Sequence, residues 1–331
     1  MLDRRSRAFR GCRVNLEGLH ERRQFERKPV GIAAMLLPFE TDGEIAGEAY
    51  QCCMQETYRA GLTPAVNMDT GYVNLLNDED KLTVLSLAKE AAEGWPFVAG
   101  AYIEGKDGDV VDLYRAEMER IVEHGGTPIL FQTSRTHGLS PSEKIDIYTR
   151  AAMGFDCVYA FELGKMFAPN GEIWDAETFW GILQIPEIKG LKHSSLDRRI
   201  EVKRLELRDQ IRPEFHIFTG NDLGIDMIEY GSDYLLGLAA FSPTKFAERD
   251  RLWAVGDDDY LALADALQHL GNVAFRKPVP AYKHSCAVFL HLLGKIPSDQ
   301  THPLSPQRPK WEHELLRDCA DRLGLSRQRL L

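Results

Sequence analysis

Residues 188–197 read Ile188-Lys189-Gly190-Leu191-Lys192-His193-Ser194-Ser195-Leu196-Asp197, a short predicted strand that breaks into a polar loop just after a lysine. The apolar Ile188 and Leu191 predict that the strand is buried, which leaves Lys192 at its end. Such a lysine is either solvated, as most are, or buried at a cost in free energy. If buried and neutral near pH 7, its amine is a nucleophile that can form a Schiff base with a carbonyl compound.

Seven further segments of the same kind flank this strand along the chain, and a helical pattern follows each of the eight. The predicted strands are 31–37, 63–67, 97–103, 128–132, 155–161, 188–192, 215–219 and 234–239. Eight strands, each followed by a helix, predict an α/β fold of the (β/α)8 TIM barrel type. A doubly wound sheet is the rival, but the turn after the first strand, Pro38-Phe39-Glu40-Thr41-Asp42-Gly43, lacks the glycine fingerprint of that fold.

Charge and periodicity divide the 331 residues into three parts. Residues 1–28 hold nine basic and four acidic side chains and are interpreted as a basic leader. This leader either packs locally or contacts an acidic partner or a neighbouring subunit. The barrel is expected over 29–256. Residues 257–331 show only helical patterns and are expected to form a C-terminal helical extension packed on the barrel.

The overall composition is that of a globular enzyme, with 44% hydrophobic and 27% charged residues. The net charge of −10 argues against a nucleic acid or an anionic membrane as partner. No apolar run approaches the ~18 residues of a membrane span, and no signal-peptide core is present. We expect a cytoplasmic protein with reduced thiols, because the six cysteines form no CxxC pair. We expect no metal, because the ten histidines form no ligand motif. We also expect no organic cofactor, because Schiff-base chemistry at a lysine needs none.

Function in a (β/α)8 barrel gathers where the strands end. Strand periodicity puts Tyr159 and Phe161 on one face of the fifth strand, and Gly190 and Lys192 on one face of the sixth. If both faces point inward, Tyr159 projects toward the amine of Lys192 and can move protons during imine formation, with Thr70 as a relay. The alternatives are a core tyrosine and a turn threonine.

The sequence resembles the dihydrodipicolinate synthase / N-acetylneuraminate lyase family of Schiff-base-forming barrels from about residue 30 to about residue 325. Lys189 to Asp197 is similar to the family's Gly-(Ile/Leu)-Lys-x-(Ser/Ala)-(Ser/Thr)-Gly-(Asp/Asn) segment. Val158-Tyr159-Ala160 is similar to its Leu-Tyr-Asn strand end, and Met35-Leu36-Leu37-Pro38-Phe39 to its opening strand. Asp69-Thr70-Gly71 stands where the family has its carboxylate-binding loop, and Thr219-Gly220-Asn221-Asp222 resembles its Ser-Gly-Asp-Asp turn.

The resemblance implies roles for individual residues. Lys192 is the expected Schiff-base lysine, Tyr159 the proton-transfer tyrosine and Thr70 its relay. The residues expected to contact substrate are Asp69, Gly71, Phe39, Gly220, Asn221, Leu236 and Arg135.

The chain departs from the family pattern around the substrate. An aspartate at position 69 would repel a keto-acid carboxylate unless it points away. Pro169 stands where the synthases have a substrate-binding arginine, and Arg135-Thr136 replaces a pair of tyrosines, one of which reaches across a subunit interface to complete the proton relay. His137 and Lys165 are, with Arg135, the candidate cationic replacements. These departures argue against the lysine-pathway synthase activity itself.

The resemblance therefore implies a class I lyase, aldolase or synthase that forms a Lys192 imine with a pyruvate-type 2-oxo acid. Two alternatives stay open: a sugar-acid dehydratase that uses the same lysine, and a non-catalytic protein that binds a small molecule on the same fold. A homo-oligomer, either a dimer or a tetramer, is also expected.

Overall fold

The computed structural model describes residues 16–325. Residues 1–15, most of the predicted basic leader, lie outside the described residues, as do the last six of the predicted extension. The described end of the leader is a short helix α1 (Leu16–Glu21) and a segment that runs to the barrel. Three arginines of this segment pair with acidic side chains of the same chain: Arg22 with Asp209, Arg23 with Glu229 and Arg27 with Asp233.

Eight parallel strands close into a barrel in which each strand pairs with its neighbours in sequence and β8 pairs with β1. The predicted (β/α)8 barrel is confirmed, with strand ends displaced by up to three residues. The strands are β1 (Gly31–Ala34), β2 (Thr63–Val66), β3 (Phe97–Ala101), β4 (Gly126–Leu130), β5 (Val158–Glu162), β6 (Ile188–His193), β7 (His216–Thr219) and β8 (Asp233–Leu236).

Alternation along the strands produces two cores. Inward side chains, among them Ile32, Ile129 and Phe161, form a cluster that fills the barrel. Outward side chains pack against the surrounding helices in a larger cluster. The strands are apolar on both faces because both faces are covered, as expected for an all-parallel sheet.

The helices begin where the capping residues predict. Asn77 accepts a hydrogen bond from Asp80 N–H, and Ser140 with Glu143 forms the predicted capping box. The barrel helices are α2 (Gly47–Arg59), α3 (Asp78–Ala92), α4 (Val110–Glu123), α5 (Pro141–Ala152), α6 (Ala176–Leu183), α7 (Arg198–Ile211) and α8 (Pro243–Val255), with a 3₁₀ helix (Ile225–Tyr230) between β7 and β8.

Residues 257–325 contain helices and turns. The helices are α9 (Asp259–Ala274), α10 (Tyr282–Leu292) and α11 (Glu312–Arg322). The first nine residues of α10 are all buried, and its first residue, Tyr282, hydrogen-bonds to Thr70 beyond the end of β2. The C-terminal helices thus contribute side chains to the same end of the barrel as Lys192. Within residues 16–325, no helix combines the length and the apolar character that a bilayer crossing needs.

Candidate active site

Lys192 is the penultimate residue of β6, and its side chain points into the barrel. It is 8% exposed, and its Nζ lies 4.4 Å from the ring centroid of Phe161 on β5. Burial lowers the pKa of the amine to about 8, although the carboxylates of Asp222 and Asp69 act in the opposite direction. Within the described chain, no ion pair fixes this amine as a cation. Lys192 is therefore a buried amine with a substantial neutral fraction near neutral pH, the state in which it is a nucleophile.

The loop after β7 borders the lysine. A Cβ on Gly220 would lie 2.9 Å from Cε of Lys192, so a larger residue at position 220 would require the lysine side chain to shift. Asn221 is buried and accepts a hydrogen bond from Leu223 N–H, which makes it a turn-forming residue. The Asp222 carboxylate accepts from Leu238 N–H, and burial raises its pKa to about 7. Sequence analysis had placed Asp222 only in a turn motif, whereas the structure makes it a titratable neighbour of the amine.

The turn Asp69–Gly71 after β2 carries a hydrogen-bonded network. The Tyr282 hydroxyl lies 2.9 Å from Thr70 Oγ1 and donates to Asp69 Oδ2, also at 2.9 Å. The Lys283 ammonium lies 3.0 Å from Asp69 Oδ1. The Asp69 carboxylate is thus turned toward a phenol and a cation. This arrangement reduces the expected repulsion between Asp69 and a substrate carboxylate, because the negative charge of Asp69 is compensated by Lys283.

Tyr282 and Lys283 are the site residues that sequence analysis missed. Both are the opening residues of α10, and both are only 3% exposed. Burial, together with the charge of Asp69, raises the pKa of Tyr282 well above its usual value. The hydroxyl is therefore protonated at neutral pH.

The predicted position of Tyr159 is wrong. Tyr159 pairs with Gly190 in the register of β5 and β6, whereas the residue that pairs with Lys192 is Phe161. The Tyr159 hydroxyl interacts with Cys157, two residues earlier. Burial, together with Cys157 and the carboxylate of Asp233 at the start of β8, raises the pKa of Tyr159. The Tyr159 side chain thus faces the N-terminal end of the barrel, because β5 extends to Glu162 and Tyr159 is its second residue. The position beside the amine is filled by a phenylalanine.

Two more predicted substrate contacts are corrected. Leu236 belongs to the outer core, and its neighbour Leu235 faces the barrel interior. Arg135 is exposed, and its guanidinium donates to the carbonyls of Lys106 and Gly108 in the loop after β3, so it braces that loop.

The other predicted contacts are nearer to the network. Phe39 is buried against Tyr72 and His302. Gly71 is in the turn itself, but its N–H donates to Met68 O, so the backbone donors left at this turn are those of Asp69 and Thr70. The remaining cationic candidates, His137 and Lys165, are exposed, and the His137 ring hydrogen-bonds to Asn170 O.

A second polar network lies behind the lysine, on the outward faces of β5 and β6. Glu162 accepts from both Arg204 and the Nδ1 of His193, and neither Glu162 nor His193 has exposed surface. Although burial opposes it, Arg204 and His193 lower the pKa of Glu162 to about 2. The His193 Nε2 atom lies 2.6 Å from Ser195 Oγ. This network fixes the loop that follows Lys192.

Two groups of described residues have the composition of a metal site. Asp257, Asp258 and Asp259 are surface acids at a helix start, and exposed acidic groups of this kind are common without a metal. The other group is His284, Asp299 and His313. The backbone N–H of Arg308 donates to Nδ1 of His284 at 2.7 Å, so in the neutral ring Nε2 carries the proton. A protonated nitrogen has no lone pair for a metal, and this hydrogen bond therefore disfavours a metal here.

No protein-family model matches the sequence, and no curated protein resembles it detectably. Solved structures do match. A monomeric dihydrodipicolinate synthase variant has 18% identity and a TM-score of 0.76, over 91% of this chain and 98% of that one. Dihydrodipicolinate synthase from Thermotoga maritima has 18% identity and a TM-score of 0.76, over 90% and 100%. A prophage protein of the dihydrodipicolinic acid synthase family from E. coli K12, solved in complex with pyruvate, has 14% identity and a TM-score of 0.78, over 90% and 99%. At these identities the likeness establishes the fold, and this chain has the fold of the dihydrodipicolinate synthases.

Proposed function

We propose that the chain is a divergent member of the dihydrodipicolinate synthase / N-acetylneuraminate lyase family. In this proposal it is a class I lyase in which Lys192 forms an imine with a pyruvate-type 2-oxo acid. The observation that carries the proposal is the buried amine of Lys192, whose pKa burial lowers to about 8, at the C-terminal end of the barrel. Burying a lysine without an ion-pair partner costs free energy, and the neutral amine that burial favours is the nucleophile that imine formation needs.

The chemistry follows from the imine. Attack of the neutral amine on C2 of the 2-oxo acid, followed by loss of water, gives a protonated imine that withdraws electrons from the neighbouring carbon. That carbon can then lose a proton or a C–C bond can break, so one intermediate serves both synthesis and cleavage. Asp222 and Asp69 carry the charges that act on the amine and favour the cationic imine once formed.

The substrate carboxylate is expected near the turn at residues 69–71. The backbone N–H groups of Asp69 and Thr70 are its proposed donors, while the Lys283 cation compensates the Asp69 charge. These donors replace Arg135 as the proposed partner of the substrate carboxylate, because the Arg135 guanidinium donates to the carbonyls of Lys106 and Gly108 in the loop after β3. Gly220 leaves the lysine side chain room to extend.

Phe161 favours one alternative, a non-catalytic protein that binds a small molecule on this fold. An aromatic ring at 4.4 Å from the amine stabilises a cation and moves no protons. A sugar-acid dehydratase using Lys192 is the other alternative, and it is separated by the product, since a dehydratase releases water without C–C cleavage.

The test is reduction with borohydride in the presence of pyruvate, followed by mass spectrometry of the intact protein and of its peptides. We expect one adduct, on Lys192, that is absent in a Lys192→Ala variant. Lys189→Ala is the matched control, because Lys189 lies on the same strand but its amine bonds to Pro186 O at the surface. An adduct that survives in Lys192→Ala refutes the assignment of the lysine. The absence of an adduct in the unmodified protein with pyruvate and with larger 2-oxo acids refutes imine chemistry and favours the binding protein.

We also propose that the protein acts in the cytoplasm as a homo-oligomer, a dimer or a tetramer. The five cysteines of the described range are free thiols, which is consistent with a reducing compartment. Light scattering at several protein concentrations tests the assembly.

A further inference from the structure

The hydroxyl of Tyr282 links Thr70 to Asp69, and the direction of its hydrogen bonds is determined. A carboxylate only accepts, so the single phenolic proton of Tyr282 goes to Asp69 Oδ2. The Thr70 hydroxyl must then donate to the oxygen of Tyr282. The result is a continuous chain, from Thr70 through Tyr282 to Asp69, in which each hydroxyl points its proton toward the carboxylate.

Several contacts hold this chain in place. Tyr282 stacks on Phe275 with ring centroids 4.3 Å apart, and the backbone of Gly237 approaches both Thr70 Oγ1 and the Tyr282 ring. A Cβ at Gly237 would lie 3.1 Å from each of them, so glycine permits the close approach. Lys283 holds the other carboxylate oxygen of Asp69. The carboxylate is thereby aimed at the phenol.

The turn that carries Asp69 and Thr70 follows β2, and Lys192 lies near the end of β6, so both are at the same end of the parallel barrel. The Asp69 carboxylate also raises the pKa of the Lys192 amine, in opposition to burial. On β5, the residue beside that amine is Phe161, which cannot transfer a proton. Any proton transfer at the amine needs another group, and within the described residues the Thr70–Tyr282–Asp69 chain supplies hydroxyls linked to a base.

We propose that Thr70, Tyr282 and Asp69 form the proton relay of the Lys192 imine reaction, and that helix α10 of the same chain completes it. This inference rests on the proposed function. Tyr282 acts through Thr70 and is a relay residue, and the terminal proton acceptor is Asp69. The relay needs no tyrosine from a second subunit.

The proton balance closes. The Lys192 ammonium loses a proton to Thr70 as the Thr70 proton passes to Tyr282 and the Tyr282 proton to Asp69. The neutral amine attacks C2 of the 2-oxo acid, the C–N bond forms, and the carbonyl oxygen becomes the carbinolamine hydroxyl after taking a proton from nitrogen. The relay then runs backward and protonates this hydroxyl, which leaves as water while the nitrogen lone pair forms the C=N bond. Ammonium and carbonyl thus give protonated imine and water. In the next step C3 of the imine gives a proton to the relay, and the enamine forms.

The test separates equilibrium imine formation from proton transfer. Exchange of the pyruvate methyl protons in D2O, followed by NMR, reports removal of the C3 proton. Borohydride trapping after long incubation reports the equilibrium yield of imine. For Tyr282→Phe we expect exchange to fall at least ~100-fold, as is common on loss of a proton-transfer group, with the trapped yield retained. Asp69→Asn is expected to behave in the same way.

Tyr72→Phe is the matched control. Tyr72 is a buried tyrosine close to the same turn, and its hydroxyl has no hydrogen-bond partner in the described structure. This variant should exchange pyruvate protons at the unmodified rate. Tyr159→Phe tests the competing tyrosine.

The outcomes are distinct. If Tyr282→Phe exchanges pyruvate protons at the full rate, the relay is overturned, but the proposal of a Lys192 imine is unaffected. The same holds if exchange is lost in Tyr159→Phe and in no other variant. A Tyr282→Phe protein with neither exchange nor trapped adduct has lost its site structure, and the Asp69→Asn variant is then the deciding test. If Asp69→Asn still gives the trapped adduct but no longer exchanges pyruvate protons, the relay is supported. If Asp69→Asn exchanges them at the full rate, the relay is overturned. If the unmodified protein gives no adduct with pyruvate or with larger 2-oxo acids, the proposed function fails and the relay fails with it.

Discussion

Asp222 is expected to control how much of Lys192 is neutral, and replacing it with asparagine tests this directly. With a pKa of about 8, roughly one tenth of the Lys192 amine is neutral at pH 7. An ordinary lysine, with a pKa of ~10.4, would be neutral in only about one molecule in 2,500. Burial therefore increases the reactive fraction by a factor of about 250. Asp222 opposes burial, so its removal should increase that fraction further.

The size of the effect follows from the geometry. No ion pair within 4 Å joins the two side chains in the described structure, so Asp222 acts through space. Two unit charges at an effective dielectric constant near 20 interact by about 4 kcal/mol at 4 Å and by about 2 kcal/mol at 8 Å. The lower figure would raise the neutral fraction at pH 7 from about one tenth to about three quarters. Because burial gives Asp222 itself a pKa of about 7, only part of its charge is present there, and we expect roughly a fivefold increase.

The assay is competitive acylation without substrate. Trace acetic anhydride labels neutral amines, and mass spectrometry of the peptide carrying Lys192 gives its labelling rate from pH 6 to 10. In the unmodified protein the rate should rise about tenfold per pH unit below pH 7 and level off above pH 8, because only the deprotonated amine reacts. Asp222→Asn should move this curve to lower pH.

Asp226→Asn is the control, since Asp226 is an exposed acid a few residues away that pairs with Arg198. It should leave the curve unchanged. A midpoint near pH 10 in the unmodified protein would refute the argument from burial. Labelling of Asp222→Asn that is no faster than in the unmodified protein would show that Asp222 does not hold the amine charged.

Two further predictions concern the surroundings of the lysine. Arg204→Met should lower the free energy of unfolding in urea by about 3–5 kcal/mol, because it leaves the Glu162 carboxylate buried with only His193 and the Trp174 N–H as partners. Arg199→Met, which breaks an exposed pair with Asp197, should have a much smaller effect, and equal effects would contradict the role of burial. Gly220→Ala should slow adduct formation with pyruvate on the order of 10²-fold, since its Cβ would lie 2.9 Å from Lys192 Cε and displace the amine, and trapping at the unmodified rate would show that the side chain has room to move aside.

The barrel and its lysine could be predicted from sequence because their signals are local. Each strand of an all-parallel barrel is buried on both faces, so it appears as an apolar run, and eight such runs separated by helical patterns limit the architecture. The stretch around Lys192 carried its own signal, a lysine at the end of a buried strand. Helix starts were equally local, as the capping box at Ser140 illustrates.

The predicted positions of Tyr159 and Leu236 were wrong for the same geometric reason. A period of two tells which residues of a strand share a face, but neither which face points inward nor how high a residue stands in the barrel. The fifth strand was expected over 155–161 and runs from Val158 to Glu162. That displacement moves Tyr159 from the end of the strand to near its beginning and puts Phe161 beside the lysine. In β8 the inward face carries Leu235, so Leu236 faces the helices.

Tyr282 was hidden because no local pattern connects it to the site. It lies 212 residues from Thr70 in sequence, at the start of a helix whose first nine residues are all buried, so a 3.6-residue period does not single out a face. A physical signal was nevertheless present. Lys283 is a charged residue within an apolar helical pattern, and a buried ammonium needs an anion. Asp69 posed the converse problem, a carboxylate in a loop expected to receive a carboxylate. The Lys283 ammonium and the Asp69 carboxylate neutralise each other in an ion pair. This pairing also brings Tyr282, the neighbour of Lys283, to Thr70. Matching unpaired buried charges of opposite sign is thus a route to long-range contacts that strand and helix periodicity cannot reveal.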